Sequence, residues 1–112
     1  MFVVVYRWRC LPEHEAAFRV AWAEMTLAIR EQCGSLGSRL HRADDGDLVA
    51  YAQWPSRERW ESSTATGPTV VRAREEMSRH AERTAPPFLL EVLDDLLEPS
   101  PPRQGGANGG AT

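Results

Sequence analysis

Histidine, tyrosine, tryptophan and arginine are the residue types in this 112-residue chain that could carry chemistry. His80 could act as a general base on a phenol, because imidazole titrates near neutral pH. Tyr6 or Tyr51 could donate a hydrogen bond to a bound carbonyl or quinone oxygen. Trp54 and Trp60 could form the walls of a pocket that stacks a flat aromatic molecule. Together these residue types permit acid–base chemistry on a small aromatic ligand.

Each of these residues also has a structural interpretation that the sequence leaves open. A lone histidine on the apolar face of a helix, such as His80, is often a hydrogen-bonded structural residue. Trp54 and Trp60 could fill a core or an interface instead of lining a pocket. Arg39 and His41 share one face of a predicted strand, where they would either contact substrate at a rim or face solvent.

The composition excludes several classes of site. All 13 basic residues are arginine, so the chain has neither a P-loop lysine nor a lysine Schiff base. The three histidines are widely spaced and no CxxC pair occurs, so we predict no metal site. A net charge of −3 favours neither nucleic acid nor an anionic membrane, and no apolar run is long enough to span a bilayer. Two unpaired cysteines, Cys10 and Cys33, fit a reducing compartment, so we expect a cytoplasmic protein.

The pattern of apolar residues predicts four main strands and two long helices. The predicted elements are a strand at Phe2–Arg9, a helix at Pro12–Cys33, strands at 35–43 and Leu48–Trp54, a short helix after Ser56, a helix at 68–83, and a strand at 88–97. This β-α-β-β-α-β order is typical of an α+β, ferredoxin-like domain with helices on one face of an antiparallel sheet. We assign that domain to residues 1–98. Residues 99–112, rich in Pro and Gly, are predicted to be a disordered tail that can be removed without loss of stability.

Both faces of the predicted sheet are apolar. On the first strand, Val3 and Val5 point away from their neighbours Phe2 and Val4, and the third strand alternates in the same way. Since the helices can cover only one face, the other face predicts an interface. We therefore expect a homodimer in which two sheets stack through these faces.

Three segments of the chain resemble the antibiotic-biosynthesis monooxygenase family of dimeric α+β barrels. They read VVVYRW at 3–8, GSLGSRLHR at 34–42 and LVAYAQWPS at 48–56, and Trp60 follows six residues after Trp54. The resemblance implies a cofactor-independent monooxygenase that acts on a small aromatic polyketide or quinol, with dioxygen as co-substrate. A deprotonated quinol can react with dioxygen itself, so the protein would supply a dry apolar pocket, a base and oxyanion donors.

The resemblance also implies alternatives. The haem-degrading branch of the family implies an Asn on the first strand and a ligating His on the second long helix, where this chain has Tyr6 and Arg7, and Val71 to Ala73. Haem degradation is therefore disfavoured. Anthrone oxygenases imply an Asn near the pocket, and residues 1–98 contain none. The alternative to an enzyme is a non-catalytic dimer that holds a small hydrophobic ligand, or a stress-related protein.

Overall fold

Five antiparallel strands and three helices make up residues 1–99, which are the residues that the computed structural model describes. In chain order the elements are β1 (Phe2–Arg9), α1 (Pro12–Cys33), β2 (Gly37–Arg42), β3 (Leu48–Trp54), α2 (Arg57–Glu61), α3 (Pro68–His80), β4 (Glu82–Arg83) and β5 (Phe88–Glu91). The sheet order is β2-β3-β1-β4, and β5 also pairs with β1. This is the α+β, ferredoxin-like arrangement that the sequence predicts.

The helix ends follow from local sequence. Pro12 occupies the first turn of α1, where backbone N–H groups have no partner within the helix, so the absence of an N–H in proline costs nothing there. Glu13 and Glu15 lie at the positive end of the helix dipole. Gly34 ends α1 in the left-handed conformation at φ 76°, and its N–H donates to the Arg30 carbonyl. The Ser56 hydroxyl caps α2 by accepting from the backbone N–H of Arg59 at 3.1 Å.

The C-terminal half departs from the predicted bounds. Helix α3 ends at His80 rather than near residue 83, because Ala81 is extended and Glu82 and Arg83 pair with the end of β1. Pro86 and Pro87 then interrupt the pairing, since proline has no N–H to donate. Strand β5 is correspondingly shorter than the predicted strand and ends at Glu91. Residues 100–112, most of the predicted tail, lie outside the described residues.

The core fills the space between the sheet and the helices. One buried cluster joins Trp8 and Leu48 of the sheet to Phe18 of α1, and a second joins Phe2, Val4 and Trp54. Strand alternation therefore puts the even-numbered residues of β1 and β3 on the helical side. The odd-numbered residues form the other face of the sheet, which we call the open face.

Two further features of residues 1–99 concern the classes of protein considered above. No helix in this range is both long and apolar enough to cross a membrane. Cys10 and Cys33 are both free thiols, each half-buried.

Candidate functional site

A cavity of about 990 Å³ lies between the sheet and the two long helices. Its walls are mainly apolar, and the large apolar side chains among them include Trp8, Trp22, Met25, Ile29, Trp54 and Met77. This volume is at the upper end of the range for small-molecule sites, roughly 300–1,000 Å³. The cavity is therefore large enough for a ligand of several fused rings.

Two small residues of β3 leave room for this cavity. Ala50 and Ala52 line it, and they pair with Tyr6 and Val4 of β1. Because alanine has no side-chain atom beyond Cβ, the middle of β3 takes up little of the space between the sheet and the helices. The large side chain of Trp54 bounds this space at one end of the strand. A flat ligand can lie on this part of the sheet beneath α1 and α3.

Tyr6 is the tyrosine that lines the cavity. Its oxygen accepts a hydrogen bond from the indole Nε1 of Trp60 at 3.4 Å, and its ring stacks with Trp8 at 6.0 Å between centroids. The guanidinium of Arg83 lies 5.0 Å from the centre of the same ring. Within residues 1–99 the Tyr6 O–H donates to no acceptor, so it can donate to a ligand oxygen.

His80 is the last residue of α3 and lines the cavity. Its Nε2 lies 3.2 Å from Oε1 of Glu76, one turn earlier on α3. Its Nδ1 lies 2.9 Å from Nδ1 of His14, in the first turn of α1. Both ring nitrogens of His80 are therefore held by neighbouring side chains, which fixes the orientation of the imidazole.

Cys10 lies beside this histidine pair and acts as a hydrogen-bond donor. Its Sγ is 3.4 Å from the backbone carbonyl oxygen of His80. Burial, and to a smaller extent the charge of Glu15, raises the pKa of the Cys10 thiol. The protonated thiol therefore persists at neutral pH, so Cys10 supports the end of α3 rather than serving as a thiolate nucleophile.

A second hydroxyl, that of Ser38 on β2, lies on the cavity wall. Its Oγ is buried and has no hydrogen-bond partner within residues 1–99. Ser38 pairs with Ala52 on β3, two residues from Ala50, which is the partner of Tyr6. Buried hydroxyls are normally hydrogen-bonded, so Ser38 is a candidate contact for a polar atom of a ligand.

Charged residues at the cavity are mostly basic. The lining contains one acidic residue, Glu82, and four arginines, which are Arg9, Arg74, Arg79 and Arg83. Arg79 is paired with Glu76, and Arg83 lies over Tyr6. These guanidinium groups can pair with an anionic ligand in the cavity.

The structure brings only part of the predicted site together. Tyr6, Trp54 and His80 line the cavity. Trp60 contacts Tyr6 but does not line the cavity. We expected Tyr51 in the same cleft, and this placement is wrong because Tyr51 pairs with Val5 and Arg39 on the open face. A strand turns successive side chains to opposite faces, so Tyr51 and Trp54 cannot face the same layer.

Arg39 and His41 also lie away from the cavity. Both are exposed on β2, and their partners Tyr51 and Val49 belong to the open face. The Nδ1 atom of His41 is 3.0 Å from the Val49 carbonyl oxygen, which leaves this ring at the sheet surface. The prediction that Arg39 and His41 contact a substrate is therefore wrong for a substrate bound in this cavity.

Sequence reasoning missed two residues of the cavity lining, His14 and Trp22. Trp22 is half-buried and lines the cavity from α1. His14 is 66 positions from His80, so no local pattern connects them. The topology does contain a signal, because the end of β1 pairs with the start of β4 and thereby brings the start of α1 beside the end of α3.

Metal ligation is the alternative role for these side chains. In the part of the chain that the structure describes, no three His, Cys, Asp or Glu side chains are grouped closely enough to hold a metal ion. The histidine pair, Glu76 and the hydroxyls of Tyr6 and Ser38 are instead arranged as hydrogen-bonding groups around an apolar space.

Comparisons with known proteins give a consistent result. Residues 1–82 match the sequence model of the family described as antibiotic biosynthesis monooxygenase. No curated protein matches the chain significantly. Among solved structures, the chain is similar to SnoaB, a cofactor-independent oxygenase from Streptomyces nogalater, with a TM-score of 0.69 at 18% identity over 87% of this chain and 97% of that one.

Two further solved structures have the same fold. One is a monooxygenase from the ActVA-Orf6 gene of Streptomyces coelicolor in complex with nanaomycin D, with a TM-score of 0.62 at 26% identity over 88% of this chain and 92% of that one. The other is Rv0793 from Mycobacterium tuberculosis, with a TM-score of 0.63 at 22% identity over 86% of this chain and 98% of that one.

Proposed function

Because the chain belongs to the antibiotic biosynthesis monooxygenase family, we propose that it is a cofactor-independent monooxygenase of planar aromatic quinols or polyketides. The observation that carries the proposal is the cavity of about 990 Å³, in which apolar aromatic walls surround an imidazole, a free tyrosine O–H and several guanidinium groups. SnoaB, a neighbour in fold, is described as a cofactor-independent oxygenase. Dioxygen is the co-substrate.

The reaction needs no external reductant. An anthrone or hydroquinone gives up a proton to a base, and the resulting carbanion or phenolate reacts with dioxygen to form a hydroperoxide. The O–O bond then breaks, one oxygen atom stays on the ring as a carbonyl, and the other leaves as water. The substrate supplies all four electrons, so the atoms and electrons balance without a flavin or a metal.

The side chains at the cavity match the needs of these steps. The imidazole of His80, or its hydrogen-bonded partner His14, accepts the substrate proton. The Tyr6 hydroxyl donates to the oxygen on which negative charge develops, and the arginines stabilise the anionic intermediate. Trp22 and Trp54 provide flat apolar surfaces for the rings, and they exclude water from the reactive centre.

Oxygen consumption with a panel of hydroquinones and anthrones tests the proposed function. We expect turnover with substrates of two or three fused rings, and a carbonyl product that carries one oxygen atom from labelled dioxygen. His80→Ala should lower turnover by roughly 10²–10⁴-fold through loss of acid–base catalysis. The matched control is Glu75→Gln, an exposed residue of α3 outside the cavity lining, which should not change the rate.

One result would contradict the role of His80, and another would contradict the proposed function itself. Unchanged turnover in His80→Ala would remove this residue from the mechanism. Tight binding of the quinols without oxygen uptake by any of them would favour the non-catalytic alternative, in which the cavity only holds a hydrophobic ligand. Binding is measured independently of oxygen by quenching of tryptophan fluorescence, because Trp8, Trp22 and Trp54 line the cavity.

We also infer that the protein acts as a homodimer through the open face of the sheet. Phe88 of β5 pairs with Val5 and is 66% exposed, and Leu90 pairs with Val3 and is 46% exposed. Exposed apolar side chains in such a patch favour an interface. Phe88→Asp should convert a dimer to a monomer in sedimentation velocity, whereas Leu27→Asp, at an exposed leucine of α1, should not. A wild-type monomer at micromolar concentration would contradict this inference.

A further inference from the structure

Three side chains from the ends of the two long helices form a continuous hydrogen-bonded line. Oε1 of Glu76 lies 3.2 Å from Nε2 of His80, and Nδ1 of His80 lies 2.9 Å from Nδ1 of His14. The two imidazole rings are 5.1 Å apart between centroids and inclined at 43°. Both histidines line the cavity, and both are half-buried.

The protons in this line can be assigned from the chemistry of its ends. Oε2 of Glu76 forms an ion pair with the guanidinium of Arg79. A carboxylate can only accept, so the proton between Glu76 and His80 belongs to Nε2 of His80. In a neutral His80 the Nδ1 atom is then unprotonated and accepts from Nδ1–H of His14.

The same assignment leaves one basic nitrogen without a partner. A neutral His14 that carries its proton on Nδ1 has an unprotonated Nε2. Within residues 1–99 this Nε2 makes no hydrogen bond, whereas both nitrogens of His80 are occupied. The nitrogen available to a ligand proton therefore belongs to His14 rather than to His80.

We propose that His14 is the proton acceptor of the cavity, and that His80 and Glu76 position it and receive its charge. This deepens the proposed function and rests on it for the identity of the substrate. The O–H or C–H bond of the substrate breaks, its proton forms an N–H bond at Nε2 of His14, and the electron pair stays on the substrate. The proton on Nδ1 of His14 can then move to Nδ1 of His80, which brings the positive charge beside Glu76.

The surrounding charges support this direction of proton transfer. Arg9, Arg79 and Arg83 line the cavity together with the histidine pair, and they stabilise the anion that forms when the proton leaves the ligand. Glu82 is the acidic residue of that lining, and Glu76 lies behind His80. The anion and the imidazolium are therefore each next to groups of the opposite charge.

The first test needs no substrate. Two-bond ¹H–¹⁵N correlation spectra of the imidazole rings, recorded on the wild-type protein where both rings are neutral, should show His14 protonated at Nδ1 and His80 protonated at Nε2. His14 protonated at Nε2 would overturn the proposal and would leave the proposed oxygenase function intact. Because this measurement needs no substrate, failure of the His14 assignment can be distinguished from failure of the proposed oxygenase function.

The second test uses 4-nitrophenol as the probe, because its phenolate absorbs visible light. At a pH where the free phenol is mostly protonated, we expect the bound form to be mostly phenolate. The His14→Gln variant keeps a side chain of similar length without a basic nitrogen, and the ratio of phenolate to phenol should fall at least tenfold. An unchanged ratio in a folded His14→Gln protein would overturn the assignment.

Glu76 and Glu75 provide a matched pair for the positioning role. Glu76→Gln replaces a group that only accepts by one that also donates, so the tautomer of His80 is no longer fixed. We expect a several-fold loss of bound phenolate with little change in the total amount of probe bound. Glu75→Gln, at an exposed neighbour of the same charge, should behave as wild type. Equal behaviour of the two variants would remove Glu76 from the relay.

Discussion

The indole Nε1 of Trp60 donates to the hydroxyl oxygen of Tyr6 across 3.4 Å, which connects α2 to a residue that lines the cavity. The Trp60 ring also packs against Phe2, with 5.7 Å between centroids. This relationship gives Trp60 a function that differs from the one its spacing suggests. Instead of forming a wall, it fixes the rotation of the Tyr6 hydroxyl, so that the Tyr6 proton is directed toward other acceptors.

Trp60→Phe tests this positioning role. The substitution keeps an aromatic ring against Phe2 but removes the N–H donor. One hydrogen bond is worth about 0.5–1.5 kcal/mol, so we expect a fall in melting temperature of several degrees and roughly a threefold to tenfold fall in turnover. In a Tyr6→Phe background the same substitution should have no further effect on turnover, because the hydroxyl that it positions is gone. Additive losses would show that Trp60 acts independently of Tyr6.

Gly34→Ala should destabilise the protein at the end of α1. Gly34 has φ 76°, and a Cβ there would also meet the guanidinium of Arg59. Ala at a left-handed position costs about 1 kcal/mol, which corresponds to a fall in melting temperature of roughly 4–8 °C for a domain of this size. Gly34→Asn should be milder, since Asn tolerates this conformation. Equal melting temperatures for wild type and Gly34→Ala would contradict this account of the helix end.

Asp45 in the β2–β3 turn should contribute to the acid sensitivity of the fold. The backbone N–H of Asp47 donates to Oδ1 of Asp45 at 2.9 Å, and together with Arg7 it lowers the pKa of the Asp45 carboxyl. A lowered folded-state pKa stabilises the protein above the unfolded-state pKa of about 3.9, and this contribution is lost as the pH falls through the folded-state value.

Urea denaturation at several pH values measures this contribution. Asp45→Asn should unfold at lower urea concentration than wild type at pH 7, and the two midpoints should converge as the pH falls below about 4, near the unfolded-state pKa. Asp44→Asn is the matched control, because Asp44 makes no hydrogen bond or ion pair to any residue of the described range. A difference between Asp45→Asn and wild type that stays constant from pH 7 to pH 3 would contradict the assignment.

The sequence predicts the elements best where local signals mark both ends. The bounds of β1, α1 and β3 are confirmed, because period-two alternation, Pro12 and Gly34 all act within a few residues. The end of α3 was wrong for a tertiary reason: Glu82 and Arg83 are compatible with a helix, and only their pairing with Arg9 and Trp8 draws them into the sheet.

The sequence predicts those residues of the candidate site whose direction follows from strand alternation or from the face of a helix. Tyr6 and Trp54 occupy even positions on β1 and β3, and His80 follows Met77 on one face of α3, so all three reach the cavity. Tyr51 occupies an odd position on β3, so strand alternation directs its side chain to the open face. The partnership of His14 with His80 depends on packing between two helix ends, and the sequence contains no periodic signal for such a contact.

Ser38→Ala should stabilise the ligand-free protein and weaken ligand binding. The Oγ atom of Ser38 is buried without a partner in residues 1–99, and an unsatisfied buried hydroxyl costs about 1–3 kcal/mol. Removing it should therefore raise the melting temperature. If a carbonyl or hydroxyl of the ligand pairs with this group, the loss of about 0.5–1.5 kcal/mol should raise the Kd for a bound quinone roughly threefold to tenfold.

Ser35→Ala is the matched control for this last prediction, because Ser35 lines the same cavity with a satisfied hydroxyl. Its Oγ accepts from the backbone N–H of Gly37 at 2.9 Å, so its removal leaves a donor unpaired and should lower the melting temperature. The two serines should thus change stability in opposite directions. A destabilised Ser38→Ala protein with unchanged affinity would show that Ser38 supports the fold of β2, whereas a stabilised protein with weaker binding places its hydroxyl against the ligand.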